Sequence, residues 1–151
     1  MIKIRLARPE ELQALSELCL RSKAVWEYDQ EFLSACKDEL ALHEEELTSS
    51  HIAVAELNGK IAGIAQVKME NWNAHLLKMF VEPTNLKNGI GSALFDWARE
   101  TSKANGATKL IIESDPNAAE FYRLMAARDV GFAPSGSIPG RMLPMLEYDL
   151  T

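Results

Sequence analysis

The alternation of apolar and polar residues predicts strands in the first half of the chain. Residues 2–7 alternate Ile, Lys, Ile, Arg, Leu and Ala, which is the period of a strand with one buried face. The runs 51–57 and 60–69 are rich in apolar and β-branched residues. They flank Asn58-Gly59, a dipeptide that favours the two-residue turn of an antiparallel hairpin. The pattern therefore predicts a first strand and, later, a β-hairpin.

Apolar positions three and four residues apart predict helices in four places. The first follows Pro9, and the second runs over about residues 30–47. The third ends at Asn105, because Gly106 suits the left-handed residue that follows a helix. The fourth opens at residues 115–116, an Asp-Pro pair in which Asp can cap the helix and Pro suits its first position.

The remaining strands complete a mixed order of elements. The continuously apolar run 109–113 follows the third helix and predicts a strand parallel to the one at 76–81. Two more strands, at about 130–137 and 143–150, finish the chain. The predicted order is β, α, α, β, β, β, α, β, α, β, β, which is a mixed α/β fold. We expect one domain over residues 1–151, a typical single-domain length.

The composition and net charge of the chain limit the classes of function that it can have. Hydrophobic residues make up 47% of the chain, charged residues 25%, and the net charge is −6. An acidic chain argues against general nucleic-acid binding. No apolar run approaches the ~20 residues that cross a bilayer, and the N-terminus alternates like a strand, so we expect a cytoplasmic protein with no membrane partner. Cys19 and Cys36 lack metal-ligand spacing, which predicts buried core thiols and no metal site.

The stretch 76–94 contains the first candidate functional site in the sequence. It reads as a strand, a proline-closed loop, a glycine-spaced turn and a helix start. Gly89 and Gly91 allow backbone conformations and close approaches that a Cβ would block, so N–H groups at the start of the helix can point at an anion. A phosphate site is the functional interpretation. An ordinary tight loop is the alternative, because a lone Gly-x-Gly is a weak motif.

Two segments and the element order resemble the GCN5-related N-acetyltransferase (GNAT) family over essentially the whole chain. Residues 77–83 followed by 85–94 look like the family's fourth strand and its pyrophosphate loop, Gln/Arg-x-x-Gly-x-Gly/Ala. Residues 115–122 look like the family's second cofactor motif, which opens the next helix and ends in a Phe-Tyr pair.

The sequence departs from the family pattern in two places. Leu86 stands where the family often has Gln or Arg, which removes a polar side chain but leaves the backbone amides. Ala126 replaces the glycine usually found four residues after the motif Tyr, and a Gly131-Phe132 pair follows later. The fourth helix is therefore expected either to extend to about Asp129 or to have a rebuilt last turn.

The resemblance implies a GNAT fold, with a mostly antiparallel central sheet, a splayed parallel strand pair and flanking helices. It implies an enzyme that transfers the acetyl group of acetyl-CoA to a primary amine of a small-molecule or peptide acceptor, by direct attack in a ternary complex. Tyr122 is implied as the acid that protonates the thiolate; the alternative is a packing Tyr with a satisfied hydroxyl. The implied cofactor-binding residues are Met79, Phe80, Val81, Leu86, Lys87, Asn88, Gly89, Ile90, Gly91, Ser92, Asn117 and Tyr122.

The acceptor side is predicted from the variable segments. Trp26 and Tyr28 lie in a polar loop between two helices and suggest a lid, while Glu27 and Asp29 would favour a cationic acceptor. Packing of this loop onto the core is the alternative. The predicted substrate residues are Trp26, Glu27, Tyr28 and His75. The general base is left open among Glu27, His75, Glu82, Glu113 and a water relay, since each side chain also suits a solvated surface.

Two other classes of function stay open. A catalytically idle module that senses acetyl-CoA or regulates a partner would carry the same motifs, and turnover with an amine would separate the two. A structural domain without a cofactor would use Gly89 and Gly91 only to turn the chain. The identity of the acceptor and the formation of a homodimer are also left open.

Overall fold

A seven-stranded sheet runs through the computed structural model, which describes residues 1–26 and 28–151. The strand order is β1-β2-β3-β4-β5-β7-β6, and every neighbouring pair is antiparallel except β4 and β5, which are parallel. The predicted mostly antiparallel sheet with a parallel pair is confirmed. The strands are β1 (Ile2–Leu6), β2 (His51–Leu57), β3 (Lys60–Glu70), β4 (Asn73–Val81), β5 (Lys109–Glu113), β6 (Arg128–Pro134) and β7 (Met142–Asp149).

Helices cover both faces of the sheet. On one face, α1 and α2 bury an apolar layer against β2 and β3. On the other face, α4 buries Leu94 and Phe95 against the sheet, which gives a second layer. Short 3₁₀ turns precede α1 and α4, at Pro9–Glu11 and Pro83–Asn85. The α-helices are α1 (Leu12–Ala24), α2 (Gln30–Leu40), α3 (Glu46–Ser49), α4 (Ile90–Ala104) and α5 (Ala119–Leu124).

The predicted hairpin is confirmed in its position and its turn. Leu57 pairs with Lys60, and both Asn58 (φ 55°) and Gly59 (φ 78°) take the left-handed conformation that this turn requires. The end of the third helix is also confirmed, because α4 closes at Ala104 and Gly106 is left-handed. The last two strands lie within two or three residues of their predicted bounds.

The second helix is shorter than predicted. We expected it over residues 30–47, but α2 ends at Leu40 because Ala41 is extended (ψ 137°). This step buries Leu42, whose N–H donates to Ser16 Oγ at 2.9 Å. The short α3 resumes after the turn, where Glu46 Oε2 accepts from the His43 N–H at 2.6 Å. Burial of a single leucine therefore outweighs the helical periodicity of this segment.

The fourth helix begins later and ends earlier than predicted. Asp115 Oδ1 accepts from the Asn117 N–H at 2.8 Å, which makes a side-chain turn before the helix. As a result α5 starts at Ala119 and not at Pro116. Its end lies at Leu124, and Ala126 takes φ 76°, so the expected extension to Asp129 is wrong and the rebuilt last turn is found instead.

Both cysteines are buried, as predicted. Burial in an apolar environment raises the pKa of the Cys19 thiol to about 12. Among the helices of the described ranges, none combines the length and apolar character needed to cross a membrane.

Candidate functional site

The parallel strands β4 and β5 separate after a short pairing. They pair only over residues 73–76 and 109–112, although β4 continues to Val81. On the other edge of β4, the register with β3 shifts so that Leu77 has no partner, which is a β-bulge. The separation opens a cleft of about 290 Å³. Its walls are formed by residues 76–81, 112–115, 117–118 and 121–122, together with Ser22, Lys23, Trp26, Glu39, Leu40, Leu86, Gly91 and Leu143.

The loop at one end of the cleft presents unused backbone N–H groups. Within the described residues, the N–H groups of residues 87–92 donate to no protein acceptor, and the first amide to do so is that of Ala93, which bonds to Gly89 O at 3.1 Å. Lys87 (φ 68°) and Gly89 (φ 81°) are both left-handed, so the chain curls around a concave backbone surface. The N-terminus of α4 adds a partial positive charge, so the loop is suited to a phosphate group.

The two glycines of this loop have different roles. Gly89 caps α4 in a left-handed conformation that most side chains disfavour. Gly91 lies against the Phe121 ring, and a Cβ there would come within 3.3 Å of two ring atoms. It therefore allows α4 to approach α5. Ile90 is buried between α4 and the sheet, so only its backbone is available to a ligand.

Tyr122 lies on the wall of the cleft, within an aromatic cluster. Its ring centroid is 5.7 Å from that of Phe95 and 5.3 Å from that of Phe121. Burial raises the pKa of Tyr122 above its usual value, and its hydroxyl has no hydrogen-bond partner in the described part of the chain. The phenol is therefore protonated at neutral pH and can donate a hydrogen bond or a proton.

Asp115 joins three segments at the mouth of the cleft. Its carboxylate accepts from Lys23 Nζ at 2.7 Å and from the Tyr28 hydroxyl at 2.8 Å. The same hydroxyl oxygen accepts from Arg141 Nη2 at 2.9 Å and from Asn117 Nδ2 at 3.0 Å. These contacts connect the segment between α1 and α2 to the β5–α5 loop and to the β6–β7 connection.

The other predicted acceptor residues differ in their position relative to the cleft. Trp26 lines the cleft and is 46% exposed. Glu27 lies outside the described residues. Asp29 Oδ1 accepts from the Phe32 N–H at 2.8 Å and caps α2. His75 lies on β4 where that strand still pairs with β5, and its Nε2 is 3.7 Å from Glu70 Oε2. Among the described residues that line the cleft, His75 is not included.

The carboxylates proposed as a general base differ in their surroundings. Glu82 is engaged by Arg21, with Nη2 2.6 Å from Oε2. Glu113 lines the cleft and is exposed. No group of His, Cys, Asp and Glu side chains within the described ranges is arranged to hold a metal ion.

Sequence reasoning missed a buried polar cluster beneath the cleft. Lys78 is only 8% exposed, and its Nζ donates to Gln66 Oε1 at 3.3 Å. Gln66 Nε2 in turn donates to Glu46 Oε1 at 3.0 Å and to Ser50 Oγ at 2.9 Å. A lysine within an otherwise apolar strand was the available signal, since buried lysines are rare. Lys23 and Asp115, which line the cleft, and Arg141, which contacts Tyr28 and Asp115, were missed because their partners are distant in sequence.

Comparisons with known proteins agree with this architecture. Residues 9–137 match the family described as Acetyltransferase (GNAT) domain. The GCN5-related N-acetyltransferase structure from Rhodopseudomonas palustris, also named "Aminotransferase, Class-II", superposes with a TM-score of 0.82 at 21% identity, covering 98% of this chain and 95% of that one. PaiA N-acetyltransferase from Thermoplasma acidophilum, in complex with coenzyme A, gives 0.74 at 18% identity, with 99% of both chains covered.

A third structure extends the comparison. YncA, a putative acetyltransferase from Salmonella typhimurium with its cofactor acetyl-CoA, gives a TM-score of 0.70 at 17% identity, covering 100% of this chain and 95% of that one. At such identities the likeness shows the fold alone. No curated protein sequence matches the chain.

Proposed function

The chain belongs to the GNAT acetyltransferase family, and on that premise we propose that it transfers the acetyl group of acetyl-CoA to a primary amine by direct attack in a ternary complex. The observation that carries the proposal is the cleft between β4 and β5, with the unused N–H groups of residues 87–92 at its end. Similar folds with coenzyme A or acetyl-CoA support the choice of cofactor.

The residues around the cleft fit such a cofactor. The N–H groups from Leu86 to Ser92 would hold its pyrophosphate at the N-terminus of α4. Backbone groups of Met79, Phe80 and Val81, on the edge that β5 leaves free, would hold the arm and polarise the reacting carbonyl. Asn117 would contact the arm from the opposite wall. Acetyl-CoA would supply the activated acetyl group as a thioester.

Tyr122 and Glu113 would handle the two protons of the reaction. Tyr122 holds a proton at its hydroxyl at neutral pH, because burial disfavours the phenolate, and this proton is available to the departing sulfur. Glu113 lines the same cleft and would accept the proton of the attacking amine, directly or through water. Trp26 and Tyr28 would form the acceptor side.

Calorimetry with acetyl-CoA and a variant of Gly89 tests the binding part of the proposal. Gly89→Asp places a Cβ and a negative charge beside the phosphate loop, so we expect the affinity for acetyl-CoA to fall at least about tenfold. Gly59→Asp is the matched control, because Gly59 is also left-handed but lies in the hairpin turn, where an added Cβ would meet no atom within 4 Å. A folded Gly89→Asp protein with unchanged affinity would contradict the proposal.

Turnover tests the catalytic part. A panel of amines with detection of released thiol should give acetyl-CoA consumption that depends on the amine. Binding of acetyl-CoA without turnover of any amine would instead favour an idle sensor or regulatory module.

A further inference from the structure

We propose that the acceptor is a small amine that also carries a carboxylate, and that Lys78 binds this carboxylate. The inference rests on the proposed function and adds the class of its substrate. It comes from the charges that the cleft buries and from the partners that those charges have.

Lys78 is a buried cation that forms no ion pair with the residues that the structure describes. It is 8% exposed, and no carboxylate oxygen of the described residues lies within 4.0 Å of its Nζ. Its hydrogen bond to the neutral Gln66 Oε1 is long, at 3.3 Å. An ammonium group has three N–H donors, and among the described residues one of them is used, by Gln66. Lys78 is also one of the residues that line the cleft.

Gln66 orients this ammonium without neutralising it. The Gln66 amide nitrogen is fixed by Glu46 Oε1 and Ser50 Oγ, so the amide oxygen is turned toward Lys78. Glu46 makes no hydrogen bond to Lys78, but the two charges interact across the Gln66 amide: burial raises the pKa of the Glu46 carboxyl, and the hydrogen bonds from Gln66 and the His43 N–H together with the charge of Lys78 lower it on balance. The charge of Lys78 is held in place on the α1 and α2 side of the sheet, which is where the proposed acceptor side lies.

Two further largely buried cations lie on the cleft wall or beside it. Lys23 and Arg141 share one carboxylate, that of Asp115, at 2.7 Å and 3.7 Å. These three side chains are 13%, 19% and 11% exposed, respectively. The acidic Glu39 and Glu113 also line the cleft but are exposed to solvent. Among the largely buried side chains on the cleft wall, Lys23 and Lys78 are positive and Asp115 is negative, so a ligand carboxylate would balance the remaining positive charge.

The shape and the remaining lining favour a small molecule. Lys78 is only 8% exposed, and Trp26, Leu40 and Leu77 contribute apolar surface to the lining of the same cleft. The inference differs from the cationic acceptor that Glu27 and Asp29 suggest from the sequence. Asp29 is used as the cap of α2, and Glu27 lies outside the described residues.

A panel of matched amines tests the inference with the wild-type protein. Each amine is offered as a carboxylate and as its neutral amide, for example leucine with leucinamide and 5-aminopentanoate with 5-aminopentanamide, and cadaverine is the dicationic member. Thiol release from acetyl-CoA gives kcat/KM for each. We expect at least one carboxylate to exceed its amide about tenfold or more.

Variants of Lys78 connect this preference to the residue. Lys78→Gln keeps a donor for Gln66 and removes the charge, and Lys78→Met keeps the length of the side chain. In both we expect the preferred carboxylate to lose its advantage, mainly through a higher KM, while the amide is little affected. Lys78→Arg should restore part of the preference. Lys60→Met, at the exposed start of β3, is the matched control and should behave as wild type.

The outcomes separate this inference from the proposed function. Turnover of amides or cadaverine with no preference for any carboxylate would overturn the inference alone. A carboxylate preference that survives in folded Lys78→Gln would overturn the assignment to Lys78. Acetyl-CoA binding with no turnover of any amine would overturn the proposed function and the inference with it. The wild-type panel decides the substrate class even if the Lys78 variants do not fold.

Discussion

Tyr122 illustrates how its environment sets the chemistry of one residue. The motif at residues 115–122 identifies this tyrosine from the sequence, but only the structure shows that burial raises its pKa and that its hydroxyl lacks a partner within the described ranges. Burial keeps the proton on the phenol, and the absence of a protein acceptor in those ranges leaves the proton available. A packing tyrosine would be expected to have a satisfied hydroxyl.

Tyr122→Phe tests this assignment. The variant keeps the ring and its contacts with Phe95 and Phe121 and removes only the hydroxyl, so the fold and the affinity for acetyl-CoA should survive. General acid catalysis is typically worth 10² to 10⁴-fold, and we expect kcat and kcat/KM for the amine to fall together by about that range. If burst kinetics show that chemistry is rate-limiting, a near-wild-type kcat would mean that Tyr122 only packs the helix and is not the acid.

The sequence could not show which face of the sheet receives Lys78, because a single bulge decides it. A strict alternation along β4 would place Leu76, Lys78 and Phe80 on one face. The unpaired Leu77 shifts the phase, so Leu76 packs toward α4 while Phe80 packs toward α1 and α2. A bulge of one residue leaves no clear signal in the hydrophobic pattern, and it decides which side of the sheet receives the lysine.

At the scale of elements, the end of α5 explains one departure from the family pattern. Ala126 takes φ 76°, the conformation that the usual glycine adopts without strain. The helix still ends there, because the Ala126 and Ala127 N–H groups bond to Arg123 O and Tyr122 O at 3.1 Å and 3.0 Å. The sequence left this turn undecided, since alanine normally favours continuation of a helix.

Ala126→Gly should therefore stabilise the protein. Relief of the left-handed alanine is worth about 1 to 2 kcal/mol, and the greater freedom of glycine in the unfolded chain offsets part of it, so we expect a net gain of roughly 0.5 kcal/mol. Chemical denaturation measures this change. Ala35→Gly, on the exposed surface of α2, is the control and should lower stability by about 1 kcal/mol. Destabilisation by Ala126→Gly would contradict the backbone assignment.

The contacts of Asp115 join α1, the β5–α5 loop and the β6–β7 connection. Because they involve a carboxylate, the stability that these contacts contribute depends on pH. Burial raises the pKa of the Asp115 carboxyl, but hydrogen bonds from Lys23, the Asn117 N–H and Tyr28 outweigh it, so the net pKa is lowered. A lowered folded-state pKa contributes stability that is present above the unfolded value near 4 and is lost as pH falls through the folded value.

Asp115→Asn should accordingly cost stability at neutral pH but not in acid. We expect the wild type to exceed the variant by roughly 1 to 3 kcal/mol at pH 7, with the difference shrinking as pH falls below about 4. Denaturation midpoints measured from pH 7 to pH 3 provide the test. Asp38→Asn, on the exposed face of α2, should show no such convergence. A difference that stays constant with pH would mean that the charge of Asp115 does not contribute.

At the scale of the molecule, the short parallel pairing of β4 with β5 holds the two parts of the sheet together, and the two strands separate beyond it. It connects β1–β4 with β5, β7 and β6, and it ends where the cleft begins. The sequence predicted the β4–α4–β5 unit, since a strand, a glycine turn and a helix stand in succession. It could not give the lateral order β5-β7-β6, because periodicity identifies strands but not their neighbours.

Binding of acetyl-CoA should reinforce this junction, and hydrogen exchange can locate the effect. At 100 times its Kd a ligand stabilises the folded state by about 2.7 kcal/mol, which for a chain of 151 residues raises Tm by roughly 5 to 10 °C. If the cofactor spans the cleft, exchange should slow both in the loop at residues 87–92 and at the amides of residues 77–81 that β3 does not bind. The hairpin turn at Asn58-Gly59, which does not line the cleft, should be unaffected at short exchange times, and Gly89→Asp should remove the response. Protection confined to residues 87–92 would mean that the phosphates bind while the arm does not enter between β4 and β5.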